Sequence, residues 1–253
     1  MKHKRLVVLI GLILFVSIGA FIIYKTTYKE QFNYVSLGDS LTAGRNSYGG
    51  YDYGYTDYVR DYLEQNDKLD SYVNYAVSGY STDDVINDIN HNRIIEVDGI
   101  EIGLKRALRE SDLVTISIGV NDILKKLNIS SLSTWLSDRS STTRIIDETF
   151  EKIKDVISLV RQYAKGDIIV VGYYNPLPEL TKYKKNIDYL VDYSDNQYQK
   201  ICNNSEIYYA DISHVIESNS DYLPNPLDIH PNTQGYKAIS EEIIKIIEEK
   251  ILK

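Results

Sequence analysis

Four short segments of this 253-residue chain bear side chains that can act on one another chemically. They are Gly38-Asp39-Ser40-Leu41-Thr42-Ala43-Gly44, Ser78-Gly79-Tyr80-Ser81, Gly119-Val120-Asn121-Asp122 and Asp228-Ile229-His230-Pro231-Asn232. Together they supply a hydroxyl, an amide, a carboxylate and an imidazole, the set that acyl transfer requires. A serine hydroxyl is a weak nucleophile until a base removes its proton. Histidine suits that task because its pKa lies near working pH. A carboxylate fixes the imidazole tautomer and stabilises the imidazolium. Donors must then meet the oxyanion, and the backbone N–H of Gly79 and the side-chain amide of Asn121 are candidates. Each residue also has a plainer reading. Ser40 could cap a helix, Asn121 could satisfy a turn, and Asp122 could cap the helix that begins beside it.

These segments need a frame that brings them together. Five short β-rich runs stand out: Asn33–Leu37, Tyr72–Val77, Asp112–Ile118, Asp167–Val171 and Glu206–Ala210. Helical stretches separate them, around 53–65, 82–90, 103–110, 143–164 and 183–203. The chain closes on a helix from about Thr233 to Ile251 whose isoleucines make one apolar face. Alternating strands and helices imply a parallel sheet covered on both faces, an α/β fold in a three-layer α/β/α sandwich. Three of the four segments follow predicted strands. In open α/β sheets, ligands bind beyond the carboxyl ends of the strands.

The four segments, in this order, resemble the conserved blocks of the SGNH, or GDSL, hydrolase superfamily. The nucleophile block is matched by Gly38 to Gly44. The glycine block is matched by Asn74, Ala76, Ser78 and Gly79, the asparagine block by Gly119 to Asp122, and the histidine block by His230-Pro231-Asn232. The resemblance spans residues 33–253. It implies a flavodoxin-like sheet of five parallel strands and hydrolysis of esters or thioesters with no cofactor. It makes Ser40 the nucleophile and His230 the base, with an oxyanion hole from the N–H groups of Ser40 and Gly79 and the Asn121 side chain. One departure matters. The family places its acid three residues before the histidine, where this chain has Leu227; Asp228 is the nearest carboxylate, two before. Asp211 and His214 show the family spacing but lack the following proline and the closing helix.

The N-terminus suggests where such a site would work. A basic cluster, Lys2-His3-Lys4-Arg5, precedes an apolar run from Leu6 to Tyr24. At ~1.5 Å per residue the run reaches ~28 Å, enough to cross a bilayer core. Residues 1–24 are therefore expected to be an uncleaved single-pass signal anchor, followed by a linker at 25–32 and a hydrolase domain at 33–253. The basic cluster would stay in the cytoplasm and the catalytic domain outside it, or secreted if the segment is cleaved.

Composition narrows the partners. The net charge of −8 divides into +4 over residues 1–30 and −12 over the rest, which argues against nucleic acid. One cysteine, Cys202, permits no internal disulfide, and four histidines without paired spacing give no metal site. A monomer acting on a small-molecule, lipid or glycan ester is expected. Lysophospholipids, other lipid esters and O-acyl groups of surface glycans are the candidate substrates. Of the 23 tyrosines, Tyr48, Tyr51 and Tyr173 are the candidates for a substrate-binding wall. Loops at 90–102 and 130–143 are candidate rims. Transfer of the acyl group to a glycan rather than water would use the same residues. A non-catalytic surface binding module would not need them.

Overall fold

A computed structural model describes residues 31–127, 138–202 and 206–252. Five parallel strands form the central sheet: β1 (Phe32–Gly38), β2 (Leu69–Asn74), β5 (Leu113–Ser117), β6 (Asp167–Val171) and β7 (Ile207–Ala210). Their order across the sheet is β2-β1-β5-β6-β7. Connections lead outward in both directions from β1 and β5, so the switch point of this doubly wound sheet lies between those two strands.

Alternation along the strands builds two apolar layers. Val35 and Leu37 of β1, Val114 and Ile116 of β5, and Ile168 and Val170 of β6 face one side. Against them pack α2 (Thr82–His91), α3 (Leu104–Glu110), α5 (Arg139–Tyr163) and α6 (Lys184–Ile201). Tyr34, Leu113, Ile169 and Val171 face the other side, under α1 (Tyr55–Gln65), α7 (Ser213–Glu217) and α8 (Thr233–Ile246). A short α4 (Val120–Lys126) opens directly behind β5. The period-2 pattern thus places successive residues of one strand in opposite cores.

Most expected elements form within a few residues of their predicted ends. The second strand lies earlier than expected, at Leu69–Asn74, so that 75–77 belong to the loop leaving it. The 90–102 segment is not a plain loop: β3 (Ile94–Val97) and β4 (Ile100–Gly103) pair as an antiparallel hairpin. Its two-residue turn, Asp98-Gly99, has positive φ at both positions, the geometry that matches strand twist. An Asp-Gly pair between runs of isoleucine and valine is the signal that marks it. Beyond Ile246 the closing helix widens into a π-helical turn over Ile247–Ile251. Cys202 ends α6 half-buried, and burial pushes its thiol up to about 12.

The expected anchor at 1–24 and most of the 130–143 rim, Trp135 included, lie outside the described residues. Among the described residues no helix is long and apolar enough to cross a membrane.

The end of β1 is fixed by a close backbone approach. Gly38 has φ +144°, and a Cβ there would sit 2.1 Å from the carbonyl oxygen of Ser117. The next residue, Asp39, donates its N–H to that same oxygen at 3.1 Å. Any side chain at 38 would drive β1 and β5 apart where they lead into the Ser40 turn. Gly38→Ala is therefore expected to destabilise the fold by about 3 kcal/mol or more. Thermal unfolding of the variant against the wild type checks the effect.

Candidate active site

Ser40 sits in a single helical turn after β1, held by Ala43 N–H to Asp39 O at 3.0 Å and Arg45 N–H to Ser40 O at 3.0 Å. Ser40 does not cap this turn. Asp39 does, accepting from Leu41 N–H at 3.1 Å, which leaves the Ser40 hydroxyl free for another partner. That partner comes from the far end of the chain: Ser40 Oγ lies 2.7 Å from His230 Nε2. The other ring nitrogen, Nδ1, lies 2.5 Å from Asp228 Oδ1. With Nδ1–H donating to the carboxylate, Nε2 is the acceptor for the serine proton.

Asp228 reaches the ring from two residues away because one oxygen serves twice. Its Oδ1 accepts the backbone N–H of His230 at 2.9 Å as well as the ring nitrogen. Such an Asx turn folds the side chain back over the chain. Leu227, at the family's acid position, is 94% exposed. On the other side of His230, Asn232 caps α8 by accepting Gly235 N–H at 2.9 Å. The alternative pair behaves differently. His214 Nδ1 is 3.7 Å from Asp211, both side chains are exposed, and Asp211 is taken up by Ser213.

Two further loops close on this turn. Val77 N–H donates to Gly38 O at 3.1 Å, and Arg45 Nη1 donates to Ser78 Oγ at 3.3 Å, tying the glycine-bearing loop to the Ser40 turn. Gly79 has φ +86° with open space where a Cβ would point. Among the described residues neither Ser40 N–H nor Gly79 N–H donates to a protein acceptor. The Asn121 amide donates to Tyr80 O at 2.9 Å, which leaves its second hydrogen unpaired. Asp122 does not cap its own helix. Its carboxylate accepts Thr82 N–H at 2.9 Å and Thr82 Oγ–H at 2.6 Å, joining α4 to α2 and fixing the intervening loop.

Burial, and then the charges around the imidazole, set its pKa. Burial lowers His230, Asp228 partly restores it, and the Arg45 guanidinium lowers it again, so the ring titrates below its ordinary value. Burial would raise Asp228, but hydrogen bonds from the His230 backbone and ring outweigh it, and its carboxyl stays below the usual range. Asp39 is the opposite case. It is buried, its Oδ2 has no partner, and desolvation pushes it up to about 7.

A cavity of about 430 Å³ opens beside Ser40 and His230, walled by Leu41, Val120, Tyr173, Tyr174, Pro176 and Ile229. Of the three candidate wall tyrosines only Tyr173 lines it; Tyr48 and Tyr51 are 79% and 60% exposed and lie outside it. The loop after Gly44 folds back on itself through the Arg45–Tyr51 bridge, which turns those rings to solvent. Val120, Pro176 and Ile229 were not foreseen. Val120 and Ile229 lie inside recognised segments and Pro176 two residues after Tyr174, and only the fold turns them toward Ser40. Among the described residues no cluster of metal-ligating side chains occurs.

Residues 36–238 match the GDSL-like Lipase/Acylhydrolase family. The chain belongs to that family. The spore germination lipase LipC of Bacillus licheniformis is 23% identical over 221 residues, covering 83% of this chain and 93% of LipC. The solved structure of the lipase Lip_vut3 from a goat rumen metagenome superimposes with a TM-score of 0.68 at 20% identity, covering 86% of this chain and 97% of the lipase. Axe2, an acetylxylan esterase of Geobacillus stearothermophilus, gives a TM-score of 0.56 at 17% identity over 86% of this chain and 94% of its own. The protein is an ester-hydrolysing enzyme.

A base with a lowered pKa is free to accept a proton at lower pH. The acid limb of kcat/KM is therefore expected below the ordinary histidine value of about 6.5. Removing the nearby cation in Arg45→Gln raises the imidazole pKa, so the limb shifts to higher pH. A pH–rate profile of both proteins reads the direction.

Proposed function

We propose that the enzyme cleaves carboxylic esters with Ser40 as nucleophile, His230 as general base and Asp228 as the acid that orients it. The observation that carries this reading is the unbroken contact line, Ser40 Oγ to His230 Nε2 at 2.7 Å and His230 Nδ1 to Asp228 at 2.5 Å. Ser40 Oγ attacks the ester carbonyl while its proton passes to Nε2. The tetrahedral oxyanion is met by the N–H groups of Ser40 and Gly79 and the free amide hydrogen of Asn121. Collapse expels the alcohol, which takes the proton from the imidazolium and leaves an acyl ester on Ser40. Water, deprotonated by the same imidazole, then attacks that ester, and the carboxylic acid departs with Ser40 Oγ–H restored.

The N-terminal sequence supports a place for this chemistry: an uncleaved anchor at residues 1–24 holds the domain outside the cytoplasm, close to lipid and surface-glycan esters. In cells producing the full chain, the protein is expected in the membrane fraction with its intact N-terminus and with the hydrolase domain open to external protease. A soluble product beginning after Gly19 or Ala20 contradicts the anchor.

Ser40→Ala is expected to lower kcat on p-nitrophenyl esters by about 10⁴-fold or more, and Asp228→Ala by about 10³- to 10⁴-fold, each with little change in KM. Asp211→Ala is expected to leave the rate unchanged. Steady-state kinetics on the three variants test the assignment. Full loss in Asp211→Ala with activity retained in Asp228→Ala would reverse the choice of acid.

A further inference from the structure

The apolar space beside Ser40 does not stop at the cavity described above. That cavity shares Val120, Tyr173, Tyr174 and Pro176 with a second cleft of about 620 Å³. The second cleft runs between α4, the first turns of α5, and α6, and its walls are Ile123, Leu124, Ile146, Ile187, Leu190 and Val191. The two spaces adjoin at these shared residues.

Asp39 Oδ2, at the Ser40 end of this path, has no partner, but the hydroxyls beyond it already have theirs. Tyr173 Oη donates to Ile118 O at 3.0 Å and Tyr174 Oη to Ile229 O at 2.6 Å, so both rings present only their apolar bodies. Ser194 donates back to Leu190 O at 2.9 Å and Thr142 to Asp138 O at 3.0 Å. A sugar ring laid here would lose water from its hydroxyls and find few groups to replace it. An acetyl group would fill only the space at Ser40 and leave the second cleft to solvent. An alkyl chain gains from every methylene it buries.

We propose that the two spaces form one acyl-binding site, and that the enzyme acts on esters of medium- or long-chain fatty acids rather than on O-acetyl groups. The fatty acyl chain lies along α4 and α6, and the alcohol leaves on the side of His230. This rests on Ser40 as the nucleophile and narrows the substrate class from there.

The test is kcat/KM for p-nitrophenyl acetate, butyrate, octanoate and decanoate, measured on the full chain. The wild type is expected to gain about fourfold per methylene from acetate to octanoate. Leu124 and Ile123 are only partly buried, so larger side chains can enter the cleft there without displacing the core. In Leu124→Trp the octanoate-to-acetate ratio is expected to fall at least tenfold. Ile123→Phe serves as a second block should the first variant fail a thermal-unfolding check. Acetate turned over with flat or falling rates along the series overturns the acyl site while leaving Ser40 in place, as does a ratio unchanged in a folded blocking variant. No turnover of any ester by the wild type overturns the serine-hydrolase reading, and this inference with it.

Discussion

The imidazole of His230 is held at both of its nitrogens, and the residues that hold it lie in different parts of the chain. Ser40 stands 190 positions away in sequence, while Asp228 is two residues back on the same turn. A hydrogen bond of 2.7 Å between such distant segments survives only if the ends of β1 and the approach to α8 are both rigid. Gly38 lets β1 run against β5, Asp39 caps the Ser40 turn, and Asn232 caps α8 just past His230. Tyr236, fully buried in α8, adds a bond from its hydroxyl to Arg45 O at 2.6 Å, linking the closing helix directly to the Ser40 turn.

The same scaffold sets the electrostatics. The site is sunk at the sheet's switch point, where burial works against charge on both the imidazole and the Asp39 carboxyl. Asp228 escapes this because three interactions with His230 favour its ionised form. Two carboxylates close to one serine are thus driven apart: Asp228 stays below the usual carboxylate range, and Asp39 is pushed up to about 7. Asp39 holds the turn through Oδ1, which accepts Leu41 N–H, while its Oδ2 is buried without a partner.

Much of this was legible in the sequence because the information is local. Strands such as Ile168 to Val171 and the isoleucine face of the last helix declare themselves by period, and the glycine-bearing turns follow the strands directly. What escaped depends on long-range geometry. The hairpin at 94–103 hid behind a short, exposed alternation marked only by Asp98-Gly99. Tyr48 and Tyr51 resemble wall residues by proximity to Gly44, yet a local bridge turns them to solvent. Asp122 reads as a cap for its own helix, while its true partner, Thr82, lies 40 residues away. The acid was ambiguous because spacing alone favours Leu227 or the Asp211–His214 pair. Only the Asx turn explains how Asp228, one residue nearer, reaches the ring.

The central claim is that one serine among many in this chain is activated by a buried histidine. Labelling the full-length protein with a fluorophosphonate and mapping the adduct by peptide mass spectrometry addresses it without assuming any substrate. The account predicts a single stoichiometric adduct on Ser40, formed rapidly in the wild type and lost in His230→Ala. An unlabelled Ser40, an adduct on another serine, or labelling that persists unchanged without His230 would contradict it.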